Sequence, residues 1–273
     1  MHPVCIQIGD FKIHWFGVMM ALGFLAGLLN WTWLGRRENR GFNACSDLLL
    51  WIMISGILGA RAAYVLSDLP SFLAAPLTVF RIDQGGLIYY GGFVGAAVAL
   101  VIYARRHGEN VWSVFDFVIT AVPLAHALGR IGCFLNGCCY GALYDGALAV
   151  RFPEGSLPWW HHVREQLITR YDASSLPVHP AQLYAVAANL VIYAVLVLVY
   201  RRRPGAGVTA ALYVVLYAPT RFVLEFLRGD QRIALGVPLD AAQIMSLVSF
   251  LIGAVLLALR LRAAGPRAAA AES

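Results

Sequence analysis

Five charged side chains stand inside otherwise apolar stretches of this sequence: Arg61, Arg130, Arg221, Glu225 and Arg228. A charge at membrane depth costs about 2.5 to 3.5 kcal/mol on insertion scales, so it persists where a partner or ligand compensates it. Arg221, Glu225 and Arg228 are spaced by four and three residues and would share one helix face, where Glu225 neutralises one arginine. Arginines that meet at one depth would form a cationic pocket suited to a phosphate headgroup. Arginines that snorkel toward the membrane surface are the alternative.

The segment Ala125–Gly141, AHALGRIGCFLNGCCYG, is the part of the chain around which the rest is organised. It combines Arg130 with several glycines and with Asn136. Glycines have no Cβ, so backbone or ligand can approach closely. The segment is therefore interpreted either as an anion site or as a structural arginine bonded to neighbouring carbonyls, and the residues alone do not separate these two interpretations.

Three of the five cysteines, Cys133, Cys138 and Cys139, lie in the same segment. Their spacing is not CxxC and no second ligand pair follows, so the pattern indicates zinc only weakly and no metal is predicted. Outside the cytoplasm, Cys133 could form a disulfide with Cys138 or Cys139. Packing of small apolar side chains in a crowded turn is the preferred interpretation.

Composition places the chain in a membrane. Of its 273 residues 60% are hydrophobic and only 13% are charged, whereas soluble domains have about 25% charged residues. The net charge of +6 comes from arginines that cluster at the ends of apolar spans, which is a topology signal. No nucleic-acid-binding motif is present. The N-terminus lacks the basic region of a cleavable signal peptide, so we expect the first span to be retained.

Seven apolar stretches approach the roughly 20 residues needed to cross a bilayer. Arginines follow the first, third, fifth and seventh spans, and short arginine-rich loops stay cytoplasmic. The sequence therefore predicts an all-α membrane protein of seven transmembrane helices, with the N-terminus outside and the C-terminus in the cytoplasm. The predicted spans are 13–34, 48–66, 87–103, 111–135, 183–200, 208–226 and 244–261. The third is short for a straight span, and Pro123 and the glycines are expected to interrupt the fourth.

The predicted organisation is one seven-span domain over residues 1–262 and a disordered cytoplasmic tail over 263–273. The longest outward-facing loop, about 142–182, is polar enough to form a small extracytoplasmic cap. Its Trp159–Trp160 pair is typical of an interfacial anchor.

The stretch Gly85–Gly95, GGLIYYGGFVG, opens the third span, and close helix packing is the default role of its glycines. Tyr89 and Tyr90 place phenols near the outer interface, where an aromatic belt is their commonest explanation. Beside arginines, a phenol can also take part in proton transfer. His14 begins the first span at the same face.

Several segments, in order along nearly the whole chain, resemble the prolipoprotein diacylglyceryl transferase family. GRIGCFLNGCCYG is similar to that family's signature. The other matching stretches are IHWFGVMMALGF, GARAAYVL, GGLIYYGGFVG, HPAQLYA and RFVLEFLR.

The resemblance implies an enzyme of the bacterial cytoplasmic (inner) membrane with no cofactor and no metal. It would transfer the diacylglyceryl group of phosphatidylglycerol to the lipobox cysteine of prolipoproteins and release glycerol 1-phosphate. Arg130 matches the arginine that holds the lipid phosphate, and Arg221 with Glu225 matches the essential pair of the sixth span. The predicted catalytic residues are Arg130, Arg221, Glu225 and Tyr90. The predicted substrate-binding residues are Arg130, Arg61, Asn136, Gly141, Tyr64, His14, Gly91 and Gly92.

Three positions depart from the family pattern. Tyr90 stands where a histidine is often found, Cys133 replaces an asparagine, and Phe16 replaces a common tyrosine. If that histidine serves as the general base, Tyr90 is the candidate to replace it. Otherwise the arginines and water suffice.

Other functions stay open at this stage. A divergent paralogue with another acceptor would keep the same motifs, and a lipid or anion transporter would use the same cationic pocket. A membrane thiol oxidoreductase would instead depend on the three clustered cysteines.

Overall fold

The computed structural model describes residues 3–9, 11–81, 85–229 and 239–269, and most of them are helical. Six helical segments in this described part are long and apolar enough to cross a membrane, so the chain is a multi-pass helical membrane protein. They are Trp15–Glu38, Phe42–Ser67, Val111–Asn136, Ala181–Arg201, Val208–Phe226 and Ala241–Ala264.

The third predicted span is a helix that is less apolar than these six. It is α4, Tyr89–Arg106, of 18 residues. Its tyrosines and glycines and the arginines Arg105 and Arg106 in its last turn reduce its overall hydropathy. At 1.5 Å per residue it is about 27 Å long, close to the thickness of the hydrocarbon core.

The chain divides into two compact units, one made of Met1–Gly27 and Val118–Ser273 and the other of Leu28–Phe117. In the first unit a two-stranded antiparallel hairpin, β1 (Val4–Ile8) and β2 (Phe11–His14), leads into α1 (Trp15–Gly35). The first helix therefore begins at Trp15, two residues later than predicted, because residues 13 and 14 pair as part of a strand. The remaining long helices of this unit are α6 (Val122–Asn136), α8 (Ala181–Arg201), α9 (Val208–Phe226) and α10 (Ala241–Ala269).

Glycines bring the first half of α1 against α6. A Cβ on Gly132 would lie 3.1 Å from Met19 and 3.3 Å from Phe16, and one on Gly23 would lie 3.3 Å from the carbonyl oxygen of Ala125. Small residues at a membrane helix contact permit this close approach.

The fourth predicted span is interrupted, as Pro123 suggested. It consists of α5 (Val111–Ile119) and α6, and Pro123 stands in the first turn of α6. Proline has no N–H to donate and is tolerated at this position, where that donor would be unpaired. At the other end, Gly137 caps α6 in the left-handed conformation, with φ of 77°.

The chain between α6 and α8 has a small core of its own. Tyr140, Phe152 and Val178 are buried together, with Phe134 and Val150 packed against them. A short helix, α7 (Leu157–Arg164), is N-capped by Ser156, whose Oγ accepts a hydrogen bond from the backbone N–H of Trp159.

Trp159 is buried in the chain between α6 and α8. Its indole N–H donates to the carbonyl oxygen of Asp172 at 2.7 Å, while about half of Trp160 is exposed. The first of the two tryptophans therefore belongs to a protein core rather than to a membrane anchor.

The second unit is built on two helices, α2 (Phe42–Ser67) and α4, with the short α3 (Leu69–Ala74) after α2. Gly59 packs directly against Gly91 and Gly95, where any Cβ would collide with backbone. The packing role predicted for the glycines of GGLIYYGGFVG is confirmed for Gly91 and Gly95 by this contact.

At the C-terminus, α10 continues to Ala269, so residues 263–269 are helical where the sequence predicted disorder. Residues 270–273 of that predicted tail lie outside the described residues.

Candidate active site

A pocket in the first unit brings together three arginine side chains. It encloses about 380 Å³, space open to solvent included. Three arginines line it, Arg130 from α6, Arg221 from α9 and Arg228 just after α9. The other lining residues are His126, Cys139, Ala181, Ala185, Asn189, Tyr217, Thr220 and Leu224.

Arg130 is positioned by a residue on its own helix. His126 lies one turn earlier, and the Nε of Arg130 donates a hydrogen bond to the Nε2 of His126 at 3.1 Å. An imidazole that accepts through Nε2 is neutral, with its proton on Nδ1. The ring of His126 also lies 5.6 Å from that of Tyr217 on α9. This contact links the signature arginine to the helix that carries Arg221.

Arg221, Glu225 and Arg228 share one face, as their spacing predicted. Arg221 pairs with the carboxylate of Glu225, and the Nε of Arg228 lies 3.9 Å from the same carboxylate oxygen. The Glu225 side chain is only 5% exposed. Three guanidinium charges less one carboxylate charge leave a formal charge of +2 beside the pocket. None of the described lining residues is acidic, so the pocket favours an anion.

Asn189 on α8 adds an unsatisfied acceptor to this pocket. Asn189 is only 1% exposed. Its side-chain Nδ2 donates to the carbonyl oxygen of Ala185 at 2.8 Å, and its Oδ1 has no hydrogen-bond partner. A buried polar atom without a partner costs about 1 to 3 kcal/mol. A ligand hydroxyl that donated to Oδ1 would remove this penalty.

Gly141 fixes the loop after α6 to the end of α9. The N–H of Gly141 donates to the carbonyl oxygen of His179, and Ala142 donates to that of Leu227 at 2.8 Å. A Cβ at Gly141 would lie 2.6 Å from the His179 oxygen and 2.7 Å from the Leu227 oxygen. Gly141 thereby holds together the segments that carry Cys139 and Arg228. Asn136 ends α6 close to this loop and is partly buried.

Arg61 has a different environment, in the second unit. Its guanidinium donates to the carbonyl oxygens of Thr78, Val79, Gly85 and Gly86. The Arg61 residue is only 7% exposed. These contacts use Nε and both terminal nitrogens, so Arg61 organises the chain that follows α3.

Tyr64 and Phe72 complete the surroundings of Arg61. Its guanidinium carbon lies 5.3 Å from the centre of the Tyr64 ring and 5.5 Å from that of Phe72. Cation–π contacts of this kind stabilise a cation that is removed from water. A substrate-binding role for Arg61 and Tyr64 stays a prediction.

Three further predicted residues lie at the start of α4. Tyr90 is 67% exposed and contacts the ring of Tyr89 edge to face. Gly91 packs against Gly59 of α2, and a Cβ on Gly92 would lie 3.0 Å from the carbonyl oxygen of Gly56. The structure therefore gives Gly91 and Gly92 a packing role, while Tyr90 has an accessible phenol.

His14 ends β2, where it pairs with Val4, and its side chain is exposed. The pocket residues with polar or sulfur-containing side chains that sequence reasoning did not assign to a site are His126, Cys139, Asn189, Tyr217, Thr220 and Arg228. The spacing of Arg228 from Arg221 and Glu225 is a sufficient signal for this pocket, although snorkelling also explains an arginine at the end of a span. Nothing local marked Asn189, because only the packing of α8 on its neighbours brings it to the pocket.

A pocket lined by arginines from two helices, one of them paired with a buried carboxylate, is the kind of site expected in a membrane protein that binds an anion. The family model for prolipoprotein diacylglyceryl transferase matches residues 3–259. The chain belongs to this family.

Curated relatives agree with that assignment. The chain is 34% identical over 265 residues, 93% of this chain and 89% of the relative, to phosphatidylglycerol–prolipoprotein diacylglyceryl transferase of Aeromonas hydrophila. It is 34% identical over 233 residues to the enzyme of that name from Pseudomonas fluorescens, covering 83% of this chain and 80% of the relative. The match to the Azotobacter vinelandii enzyme is 33% over 234 residues, with the same coverage.

Proposed function

We propose that the chain transfers the diacylglyceryl group of phosphatidylglycerol to the lipobox cysteine thiol of prolipoproteins. A carbon–sulfur bond forms at the glycerol carbon, its bond to the phosphate oxygen breaks, and the thiol proton is lost. Glycerol 1-phosphate leaves. The observation that carries this proposal is the pocket lined by Arg130, Arg221 and Arg228.

The charge of the pocket fits the chemistry of the leaving group. As the carbon–oxygen bond breaks, negative charge accumulates on the phosphate, and fixed guanidinium groups stabilise that charge in the transition state. Glu225 holds Arg221 in place from a buried position, so little reorganisation is needed when the charge develops. We assign Arg130 to the phosphate and the Arg221–Glu225 pair to its electrostatic support.

Asn189 supplies a means of recognising the headgroup. Phosphatidylglycerol carries hydroxyl groups beyond its phosphate, and a hydroxyl can donate to the unsatisfied Oδ1 of Asn189. An ammonium headgroup would instead bring a positive charge toward a pocket of formal charge +2. This arrangement favours an anionic, hydroxylated phospholipid over a zwitterionic one.

The remaining assignments extend the same proposal. Tyr90 is the candidate proton acceptor for the thiol. Asn136 and Gly141 shape the loop beside the pocket, and Arg61, Tyr64, His14, Gly91 and Gly92 form the rest of the proposed substrate-binding set. The acceptor is a lipobox cysteine, and no cofactor is required.

The topology belongs to the proposal as well. With α4 as a seventh span, the N-terminus faces outward and the arginine-rich connections face the cytoplasm of a bacterial inner membrane. Reporter fusions after Arg106 and Arg203 test this orientation, since both positions should report the cytoplasm. A periplasmic signal at either position would contradict it.

Transfer in proteoliposomes tests the activity. Arg130→Ala and Arg221→Ala should each abolish transfer from phosphatidylglycerol to a lipobox peptide. Arg164→Ala, an exposed arginine at the end of α7, is the matched control and should retain activity. Near-normal transfer by either pocket variant would refute the assignment. Replacing the lipobox cysteine with serine in the peptide tests the acceptor and should stop the reaction.

A further inference from the structure

Three cysteine sulfurs come together beside the arginine pocket, and the transferase chemistry does not use them. The Sγ atoms of Cys133, Cys138 and Cys139 all lie within 4.8 Å of one another, and each side chain is partly buried. Among the described residues this is the one cluster of potential metal-ligating groups of this kind.

The local fold explains why sequence spacing did not reveal the cluster. Cys133 lies in the last turn of α6, and Gly137 then reverses the chain in the left-handed conformation. The N–H of Cys138 donates to the carbonyl oxygen of Cys133 at 3.1 Å. This turn brings the sulfurs of Cys138 and Cys139 close to that of Cys133, which lies five and six positions earlier in the chain.

A contact from another helix holds this arrangement against a local strain. Cys139 itself has a φ of 58°, and a left-handed backbone costs a non-glycine residue roughly 1 to 2 kcal/mol. From α8, the Nε2 of Gln182 donates to the carbonyl oxygen of Cys138 at 2.8 Å. The loop is therefore fixed from outside the turn as well as by it.

The distances suit a metal bound by three thiolates. Zinc–sulfur bonds of about 2.3 Å in tetrahedral geometry place the sulfurs roughly 3.8 Å apart. Separations of up to 4.8 Å reach that value through small side-chain rotations. Water would complete the fourth position.

The charge of the surroundings also fits. Arg130 and Arg228 lie close enough to Cys139 to interact electrostatically with its sulfur. They would repel a bare divalent cation. Three thiolates with one divalent cation, however, carry a net charge of −1, and the guanidinium groups attract that complex.

We propose that Cys133, Cys138 and Cys139 form a three-thiolate binding site for a soft divalent cation of the Zn²⁺ or Cd²⁺ class. Three metal–sulfur bonds form and three thiol protons are released to solvent, with no electron transfer. Because Cys139 lines the same pocket as Arg130 and Arg228, the anionic complex pairs with Arg228 and with Arg130, the arginine that would hold the phosphate. On the proposed function, occupancy of this site inhibits transfer.

Cadmium titration of the full-length protein in detergent tests the site. The protein is reduced with a phosphine, desalted without oxygen and titrated with Cd²⁺ while the sulfur-to-cadmium absorption band is recorded. We expect one Cd²⁺ per chain. The triple variant C133S/C138S/C139S should lose the band, and each single serine variant should weaken binding at least about tenfold, since even residues behind the ligands change metal affinity by 10- to 100-fold.

The double variant C5S/C45S is the matched control, because it removes the two other cysteines and should bind one Cd²⁺ like the unmodified chain. No band in the reduced unmodified protein, or an undiminished band in the triple variant, would overturn the proposal. A protein that binds no Cd²⁺ and oxidises to an intramolecular disulfide would also overturn it and make the cluster a redox pair.

Inhibition is measured separately, with each variant compared with its own metal-free rate. Cd²⁺ should slow transfer by the unmodified protein and by C5S/C45S. For the triple variant, the rate with Cd²⁺ divided by the metal-free rate should stay near one. Equal inhibition of all three would contradict the link to the arginine pocket. If the chain has no transferase activity, the binding titration still decides whether the metal site exists.

Discussion

Glu225 on α9 contacts two arginines: it pairs with Arg221 one turn earlier on the helix, and it lies 3.9 Å from the Nε of Arg228 just after the helix. One buried carboxylate thus orients two of the three guanidinium groups at the pocket. Removing a charge partner from a buried pair is costly, about 3 to 5 kcal/mol, because the remaining charge is left uncompensated.

Glu225→Gln should therefore reduce both stability and transfer. The amide can still accept a hydrogen bond but does not compensate the charge, so we expect a lower thermal midpoint in detergent. We also expect kcat to fall by at least about tenfold. This loss should be smaller than the 10²- to 10³-fold effect of removing a hydrogen-bond donor that contacts the substrate directly. Glu165→Gln is the matched control, since Glu165 pairs with His161 at the same spacing but is half exposed. Equal effects of the two substitutions would show that the buried pair has no special role.

Arg130→Lys should behave differently from a neutral substitution. Lysine keeps the charge but loses the planar fork and the Nε bond to His126. We expect transfer to fall by about 10²- to 10³-fold, as for the loss of one positioned donor in an active site. Arg105→Lys, at the last turn of α4, should have little effect. Full activity of Arg130→Lys would mean that only charge matters at this position.

Asn189→Leu tests headgroup recognition. The substitution removes the unsatisfied Oδ1 and keeps a side chain of similar size. We expect KM for phosphatidylglycerol to rise and discrimination against phosphatidylethanolamine to weaken. The variant should remain folded. Asn189→Asp keeps the acceptor and should retain more discrimination than the leucine variant. An unchanged donor preference in Asn189→Leu would remove this residue from the recognition of the headgroup.

The main features of the fold could be predicted from sequence because long apolar helices have a strong periodic and compositional signal. The break at Pro123 was predictable because the effect of proline on a helix is also local. The hairpin before Trp15 was not, since its strands of five and four residues resemble the start of an apolar span. Trp159 looked like an interfacial anchor because its burial depends on packing between residues far apart in the chain.

The site was predictable to a similar degree. The spacing of four and three residues placed Arg221, Glu225 and Arg228 together at the end of α9 and just beyond it, since helical geometry is local. Arg61 resembled the other intramembrane arginines in sequence, but its partners are carbonyls 17 to 25 positions away. Such long-range contacts leave no local pattern.

Tyr90→Phe tests the proposed proton acceptor. The change removes only the hydroxyl of an exposed side chain, so stability should be unaffected. If the phenol takes part in proton transfer, kcat should fall by about 10²-fold or more, the usual contribution of general acid–base catalysis. The neighbouring Tyr89→Phe provides a control of identical chemistry and should retain activity. Unchanged kcat in Tyr90→Phe would leave deprotonation of the thiol to the arginines and water.

Gly141→Ala should destabilise the protein by crowding three chain segments. The added methyl would meet the carbonyl oxygens of His179 and Leu227 at 2.6 and 2.7 Å, so the loop must move and its hydrogen bonds weaken. We expect a lower thermal midpoint together with a loss of transfer. Gly17→Ala is the control, because no atom beyond the adjoining residues and backbone of its own helix lies within 4 Å of its added Cβ and alanine favours a helix by roughly 1 kcal/mol. A midpoint for Gly141→Ala equal to that of Gly17→Ala would contradict the packing argument.

His162 should make the stability of the cap sensitive to acid. Burial lowers the pKa of His162, the nearby His161 lowers it further, and Glu165 opposes the change. Its Nδ1 accepts a hydrogen bond from the N–H of Leu176 at 3.2 Å, which a protonated ring cannot do. Below the ordinary histidine pKa of about 6.5 the unfolded chain therefore binds more protons than the native one.

Stability should consequently fall as the pH decreases from about 7 through 6.5 toward the lower pKa of native His162, and it should not change with this group above pH 7. Thermal unfolding in detergent between pH 7.5 and about 5 measures the slope. His162→Gln should flatten it, at a lower midpoint near neutral pH because the buried contacts change. His14→Gln, at an exposed position, should keep the slope of the unmodified chain. A slope that His162→Gln leaves intact would assign the acid sensitivity to another group.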